Sequence, residues 1–295
     1  SIPGENITVL FSRNLNGPYV SASAAKGDAR NIRFVQVTLP PSAVSSTFAG
    51  SVIGSSINLN ATATAGMSVP LNTFCDYIPV TAIDNDPNYF FPGNTYTIRR
   101  PPGGAIEPGN YQVLAVDGTG SNLVQQGLAN GVRNCVGAGS YVRTEPGVNA
   151  GPVRQGLNAR FGDYGGGGLD PATSPPDENV QEDINYQQYL DAQQARDAGR
   201  SPASGTHQSP SRGVGTRNRR VVLLPLIKAS EFDNGRDSVR INRFAAFFLQ
   251  TKVDNGNGGD IKAEYIGVRT VLGRGGYTPG GGPVSPELSI PVIYK

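Results

Sequence analysis

Apolar and polar positions alternate with a period of two near the start of the chain. Ile57, Leu59, Ala61 and Ala63 fall on one side, and Ser56, Asn58, Asn60, Thr62 and Thr64 on the other, which predicts a half-buried strand. Val35, Val37 and Leu39 predict a second strand, stopped by Pro40 and Pro41. Between them, Ser42 to Ala49 reads as a short helix, with Gly50 as a left-handed cap. Residues 1–66 are therefore expected to form a small strand-helix-strand module, too small to bury a core alone.

Further along, turn signals come densely: Asp86-Pro87, Pro92-Gly93, Pro102-Gly103-Gly104, Pro108-Gly109 and Asp117-Gly118. Short strands fit between them at Tyr96 to Arg99 and Tyr111 to Val116. Ser121 to Val132 has a helical stripe in Leu123, Val124 and Leu128, with Ser121 as its N-cap. Pro152 to Phe161 reads as a second helix with proline in its first turn. Tyr186, Tyr189, Leu190 and Gln193 give helical spacing over Asn185 to Ala198. Val221 to Ile227 is an apolar run suited to a buried strand. Val239 to Val253 and Ile261 to Leu272 predict two more, joined by a hairpin at Asn255 to Gly259. Leu288, Ile290, Val292 and Tyr294 alternate, and Pro291 among them argues for a sheet edge.

Composition sharpens this picture. Gly (39) and Pro (23) fill about a fifth of the 295 positions, and charged residues are only 16%. Glycine and proline at that density argue against a long helical bundle. The expected fold class is α+β, predominantly β: antiparallel sheets with a few short helices and long Gly/Pro-rich loops. The expected division is residues 1–66 and a β-rich domain 67–295, carrying an irregular arm at 162–220. In that arm eight acidic residues precede Arg200, Arg212, Arg217, Arg219 and Arg220. It reads either as a solvated excursion or as a contact arm that docks on a neighbouring subunit.

The formal net charge is +2, too mild for a nucleic-acid partner. No apolar run is long enough to span a bilayer. Low charge with abundant Ser, Thr, Asn and Gly is the look of an exported surface protein. Two cysteines and one histidine cannot close a usual zinc site. Asp84 to Asn88 places oxygen ligands at alternate positions, but Tyr89 and Thr95 stand where a calcium loop needs Gly and Glu. Asp254 with Asn255, Asn257 and Asp260 is better explained as a polar hairpin. The run Gly165 to Gly168 lacks the Lys-Ser/Thr of a phosphate loop. Arg99-Arg100 and Arg217-Arg219-Arg220 are small basic clusters of the kind that flank strands. His207 lies in the Ser/Gly/Pro-rich part of the arm, a poor place for a catalytic base. No catalytic residue, cofactor site or metal site is singled out. Cys75 and Cys135 are either a disulfide or two buried thiols. A bridge would close a loop of about 60 residues and stabilise on the order of 4 kcal/mol in the chain-entropy model.

Several blocks resemble TadG-like proteins of the Tad (tight adherence, Flp) pilus machinery. Arg33-Phe34-Val35-Gln36-Val37-Thr38, Phe48-Ala49, Gly54 and Asn60 to Gly66 are similar to a run at the start of the family's exported region. Cys75-Asp76-Tyr77-Ile78-Pro79 resembles the family's "CDIAP" motif. Phe91-Pro92-Gly93-Asn94-Thr95-Tyr96 and Pro108-Gly109-Asn110-Tyr111 resemble two of its turns, with Tyr111 where Trp is common. The most specific match is Thr144-Glu145-Pro146-Gly147 followed by Gly151 to Phe161, against "TEPGN…GPVRQGLNTRF". Arg219 to Pro225 and Phe244 to Leu249 resemble two of its strands.

The resemblance implies a bacterial, exported, non-enzymatic structural component located at the cell surface or outside it. It favours the Cys75–Cys135 bridge and carries over no active site. In such proteins a transmembrane helix precedes the first strand, and this form is expected to have its anchor cleaved or left out. The expected partners are further copies of the chain or other pilus subunits, and the expected mode of action is assembly. The alternative is a surface adhesin or glycan-binding module, with Tyr186 and Tyr189 stacking on sugar. An enzyme, such as a glycoside hydrolase, would need two carboxylates converging in a cleft.

Overall fold

The structure, a computed structural model, describes residues 7–45, 56–84, 90–99, 113–147, 149–228, 230, 238–254, 260–267, 269–270, 275–277, 279, 282–285 and 288–294. The chain divides into two compact units, Ser1–Val69 with Ser289–Lys295, and Pro70–Leu288. The fold is predominantly β, with antiparallel sheets and short helices.

The first unit is a four-stranded antiparallel sheet. Its strands are β1 (Thr8–Ser12), β2 (Phe34–Ser45), β3 (Ser56–Met67) and a short fourth strand, Pro291–Ile293, in the order β1-β2-β3-fourth. Pro291 stands on the edge, where a missing N–H breaks no ladder. The first half of the expected helix over Ser42 to Ala49 is strand instead. β2 runs on to Ser45, and residues 46–50 lie outside the described residues. Pro40 and Pro41 do not end the strand because the register shifts there: Leu39 pairs with Ala61, and Ser42 with Leu59. That bulge takes up the two residues that cannot donate.

The second unit is layered about a five-stranded sheet. Its strands are β4 (Ala82–Ile83), β5 (Thr95–Arg99), β6 (Val221–Ile227), β7 (Arg243–Leu249) and β8 (Ile261–Tyr265), in the order β4-β6-β7-β8-β5. All its pairings are antiparallel except β4 with β6. β7 is central, and Phe244 to Leu249 are all buried. A strand covered on both faces reads as an unbroken apolar run, which is why Phe-Ala-Ala-Phe-Phe-Leu shows no alternation.

Helices α1 (Ser121–Asn130) and α2 (Ala150–Ala159) supply Val124, Leu128, Val153 and Leu157 to the same core as Ala245, Phe247 and Leu249. Phe244 belongs to the other face, with the Phe74 and Tyr77 rings 4.3 and 5.2 Å from its own. Phe248 joins it there, packed with Ile184 and Tyr189 of the arm. The helices start a little off the expected places. Gly120, not Ser121, caps α1, and its φ of 123° suits only glycine.

The expected strand over Val239 to Val253 is broken. Ser238–Arg240 pairs with Tyr141–Arg143, and β7 starts afresh at Arg243. The backbone between turns to reach other partners: Ile241 N donates to Ser140 O and Asn242 N to Leu226 O. Of Tyr111 to Val116, residues 111–112 lie outside the described residues, and Val113 and Leu114 make single bridges to Val80 and Thr144. The expected Asn255–Gly259 hairpin also lies outside the described residues.

Close packing of the two helices depends on Gly156. A Cβ there would fall 2.6 Å from both Gln125 O and Leu128 Cβ. Gly156→Ala should therefore separate α1 from α2 and lower stability by about 1–3 kcal/mol, despite the better helix propensity of alanine. Urea denaturation measures it, and an unchanged midpoint would contradict this account of the contact.

Candidate functional site

The arm at 162–220 is folded onto its own chain around one buried guanidinium. Arg220 opens β6 and is fully buried. Its Nε donates to Leu249 O (2.9 Å), Nη1 to Asn179 O (2.9 Å) and Gln181 O (2.7 Å), and Nη2 to Gln250 O (3.1 Å). The Phe161 and Phe248 rings each lie 4.6 Å from its central carbon. The cation is thus held by backbone carbonyls in its plane and by aromatic rings against it. Burial lowers its pKa to about 10, so it stays charged at neutral pH.

Asp177, also fully buried, lies beside it. Its carboxylate accepts from Arg220 N (3.0 Å), Asn179 N (2.9 Å) and the Tyr189 hydroxyl (2.9 Å). Burial pushes the Asp177 carboxyl above its usual range, and the donors from Asn179, Arg220 and Tyr189 oppose that rise. The Tyr189 oxygen in turn accepts from Asn218 N (3.0 Å). Tyr189 comes from helix α3 (Tyr186–Asp197), which is started by a reciprocal cap between Asn185 and Gln188.

Two more arginines extend the clasp. Arg160, at the end of α2, donates from Nε to Leu128 O (2.7 Å) and from Nη1 to Arg219 O. Burial pushes its guanidinium well below the usual range, and the charge of Arg219 adds to the effect. Arg219 donates to Pro175 O (2.9 Å), Ala129 O and Asn130 Oδ1 (3.2 Å). Asn158, in the last turn of α2, bonds both backbone groups of Val253, donating to its O (3.0 Å) and accepting from its N (2.8 Å). Asn158 and Arg160 of the Gly151–Phe161 block thus join backbone segments.

These positions correct two expectations. The arm is not a solvated excursion: it packs on its own chain, and its acidic and basic halves pair with each other. Arg217 reaches Glu178 (3.0 Å) and Asp197, and Arg220 sits beside Asp177. The tyrosines do not form a sugar platform either. Tyr189 is fully buried, and Tyr186 is half-buried against Phe248, 5.5 Å between ring centres. Asn179 ties down the Ser/Gly/Pro-rich stretch, donating to Thr206 O (2.9 Å) and accepting from Gln208 N (3.1 Å).

Cys75 and Cys135 form a disulfide with 4.2 Å between their Cα atoms. Thr73 pairs with Gly137 and Phe74 with Val136 just beside it, so the bridge continues that ladder by one position. Asp84, part of the rejected calcium loop, accepts from Arg243 at 3.1 Å. Among the described residues, no three His, Cys, Asp or Glu side chains gather as a metal site would need. Two polar grooves border the arm. One, of about 370 Å³, includes Tyr164, Gln208 and Arg212; the other, of about 480 Å³, includes Asp183, Gln250 and Lys262. Both are lined by Glu182 and Lys252, which pair at 3.0 Å.

The four-stranded sheet of the first unit presents a different kind of surface. Cross-strand partners share a face. The register therefore groups Val9 with Val37 and Ala63, and Phe11 with Val35, Ala65 and Ile293. Leu39 pairs with Ala61 on that same face. The opposite face carries Thr8, Thr38 and Thr62, then Leu10, Gln36 and Thr64, then Ser12, Phe34, Gly66 and Val292. The apolar face is open: Val9 is 41% exposed, Ile293 80%, and Ala61 and Ala63 are exposed. Among the described residues of this unit, Ala25 is the one apolar side chain that is buried.

Removing the Asp177 carboxylate should orphan three donors around a buried cation. Asp177→Ala is expected to cost about 3–5 kcal/mol, and Tyr189→Phe about 1–3 kcal/mol, by chemical denaturation. Equal effects of the two would contradict the hub described above. His207 gives a pH test. Burial lowers its pKa, with Arg196 adding and Glu178 opposing. The unfolded chain then takes up the proton first, so this group's contribution is lost as pH falls through the ordinary histidine range. Thermal melts from pH 7.5 to 5.5 should show a smaller acid-side loss for His207→Gln than for the parent. No helix among the described residues is long and apolar enough to cross a membrane. No protein-family model, curated protein or solved structure matches the chain.

Proposed function

We propose that this chain is a non-enzymatic structural component of a bacterial surface appendage, of the Tad/Flp pilus-associated type, acting by protein–protein assembly outside the cell. The observation that carries this reading is the sheet of the first unit. A sheet with one apolar face is stable when another layer covers it, and this one leaves Val9, Leu59, Ala61, Ala63 and Ile293 exposed. Two further features support it. In the blocks that resemble the family, Glu145 accepts from Gly120 N (3.1 Å) through one carboxylate oxygen, and Asn158 and Arg160 bond backbone. The Cys75–Cys135 bridge suits an oxidising compartment.

A second reading, a glycan-binding surface module, draws on the two polar grooves that share Glu182 and Lys252. It no longer draws on Tyr186 and Tyr189.

Immunogold labelling of intact cells that make the protein tests the first reading. The expected result is label along surface fibres or at the outer envelope, with Cys75 and Cys135 resistant to alkylation until reductant is added. Label confined to the cell interior would overturn it. Glycan binding that is lost on Lys252→Ala, without any surface fibre, would favour the second reading.

A further inference from the structure

We infer that the apolar face of the four-stranded sheet is a self-association surface, and that its occupant is the same face of a second copy of this chain. This rests on the assembly reading and names its partner. Three observations converge on it.

The first is the missing layer. In the second unit, β7 is buried on both sides. In the first unit, the strand residues are mostly half-buried or exposed on both faces, as in a single sheet shielded only by its own neighbours. Only Ala25, Ser12, Thr64 and Ser289 are buried among its described residues. By register Val9, Phe11, Val35, Val37, Leu39, Ala61, Ala63, Ala65 and Ile293 nevertheless share one face, while the other mixes Leu10, Phe34 and Val292 with Ser12, Gln36, Thr38, Thr62 and Thr64. Apolar sorting without apolar burial marks a face built to be covered.

The second is charge. None of the four strands contains Asp, Glu, Lys or Arg. Exposed strands are ordinarily protected from association by such residues. Nothing on this face selects a charged partner or repels an identical copy. Its centre is small and flat, with Ala61, Ala63 and Ala65 on alternate positions of β3. Two such faces can stack about 10 Å apart in the aligned manner of a β-sandwich, related by a two-fold axis that makes the contact self-complementary.

The third is area. With ~4.8 Å between strands and ~3.3 Å per residue, the four strands present on the order of 500 Å² per copy. A pair then buries about 1,000 Å², the lower bound for a specific interface. The geometry points to a reversible dimer rather than a permanent one.

Adjacent residues on opposite faces make the test. Ala63 and Thr62 are both exposed and sit in the same strand, but Ala63 lies on the apolar face and Thr62 on the polar one. Full-length protein, Ala63→Glu and Thr62→Glu are compared by sedimentation velocity up to ~100 µM, a range that captures micromolar association. Thermal melts confirm that both variants fold. The same samples are imaged by negative-stain electron microscopy.

The expected result is a concentration-dependent dimer in the parent, weakened at least about tenfold by Ala63→Glu and kept by Thr62→Glu. A parent that stays monomeric, or variants that weaken association equally, overturns the proposal. So does association that appears only when phosphatidylcholine vesicles are added. Fibres that form as well with Ala63→Glu as with the parent sink this face as the contact while leaving the assembly reading in place. Absence of the protein from the cell surface, by contrast, sinks the assembly reading itself. If Ala63→Glu fails to fold, Val9→Glu on edge strand β1 of the same face takes its place, with the same outcomes.

Discussion

One desolvated guanidinium organises the second unit. Taking an arginine out of water costs several kcal/mol. Arg220 recovers that through four backbone carbonyls and two aromatic faces. Each charge-assisted bond contributes about 1.5–3 kcal/mol. The carbonyls belong to Asn179, Gln181, Leu249 and Gln250, so a single side chain joins the arm to the end of β7. Asp177, Tyr189 and Asn218 are then fixed by the same point, and helix α3 has a floor to pack on. Remove the cation's partners and the arm loses its reason to lie where it does.

The two units solve the problem of a half-apolar sheet in opposite ways. In the second, helices α1 and α2 lie over one side of the five strands, and the arm with the Phe74–Tyr77 segment covers the other. In the first, β2 and β3 form a long ladder with no comparable cover among the described residues. Among the described residues, one sheet is enclosed on both faces and the other shows an apolar face.

Some of this was legible in the sequence. The run Phe244 to Leu249 announced a buried strand because covering both faces removes alternation. Helix α3 was readable from the i, i+3, i+4 spacing of Tyr186, Tyr189 and Leu190. The split of β3 into an alanine side and a threonine side was visible, and the register then showed which residues of β1 and β2 join each side. The clasp was not visible. Arg219 and Arg220 look the same in sequence whether they are solvated or buried, and the acceptors that bury Arg220 are backbone carbonyls, which any residue supplies. The prolines at 40 and 41 misled for a related reason. A proline stops a strand only where its N–H is needed, and a bulge in the ladder removes the need. The arm misled most, since acidic and basic stretches with no periodicity gave no sign that each was the other's partner.

The disulfide has a consequence of its own. Cys75 and Cys135 join two short strands that already lie side by side, and the chain between them carries strands β4 and β5 and helix α1. A protease that cuts anywhere between residues 76 and 134 therefore releases nothing: both ends stay covalently attached, next to a ladder that holds their register. The bridge turns an otherwise terminal break into a nick. The cut chain stays one covalent molecule and keeps its mass.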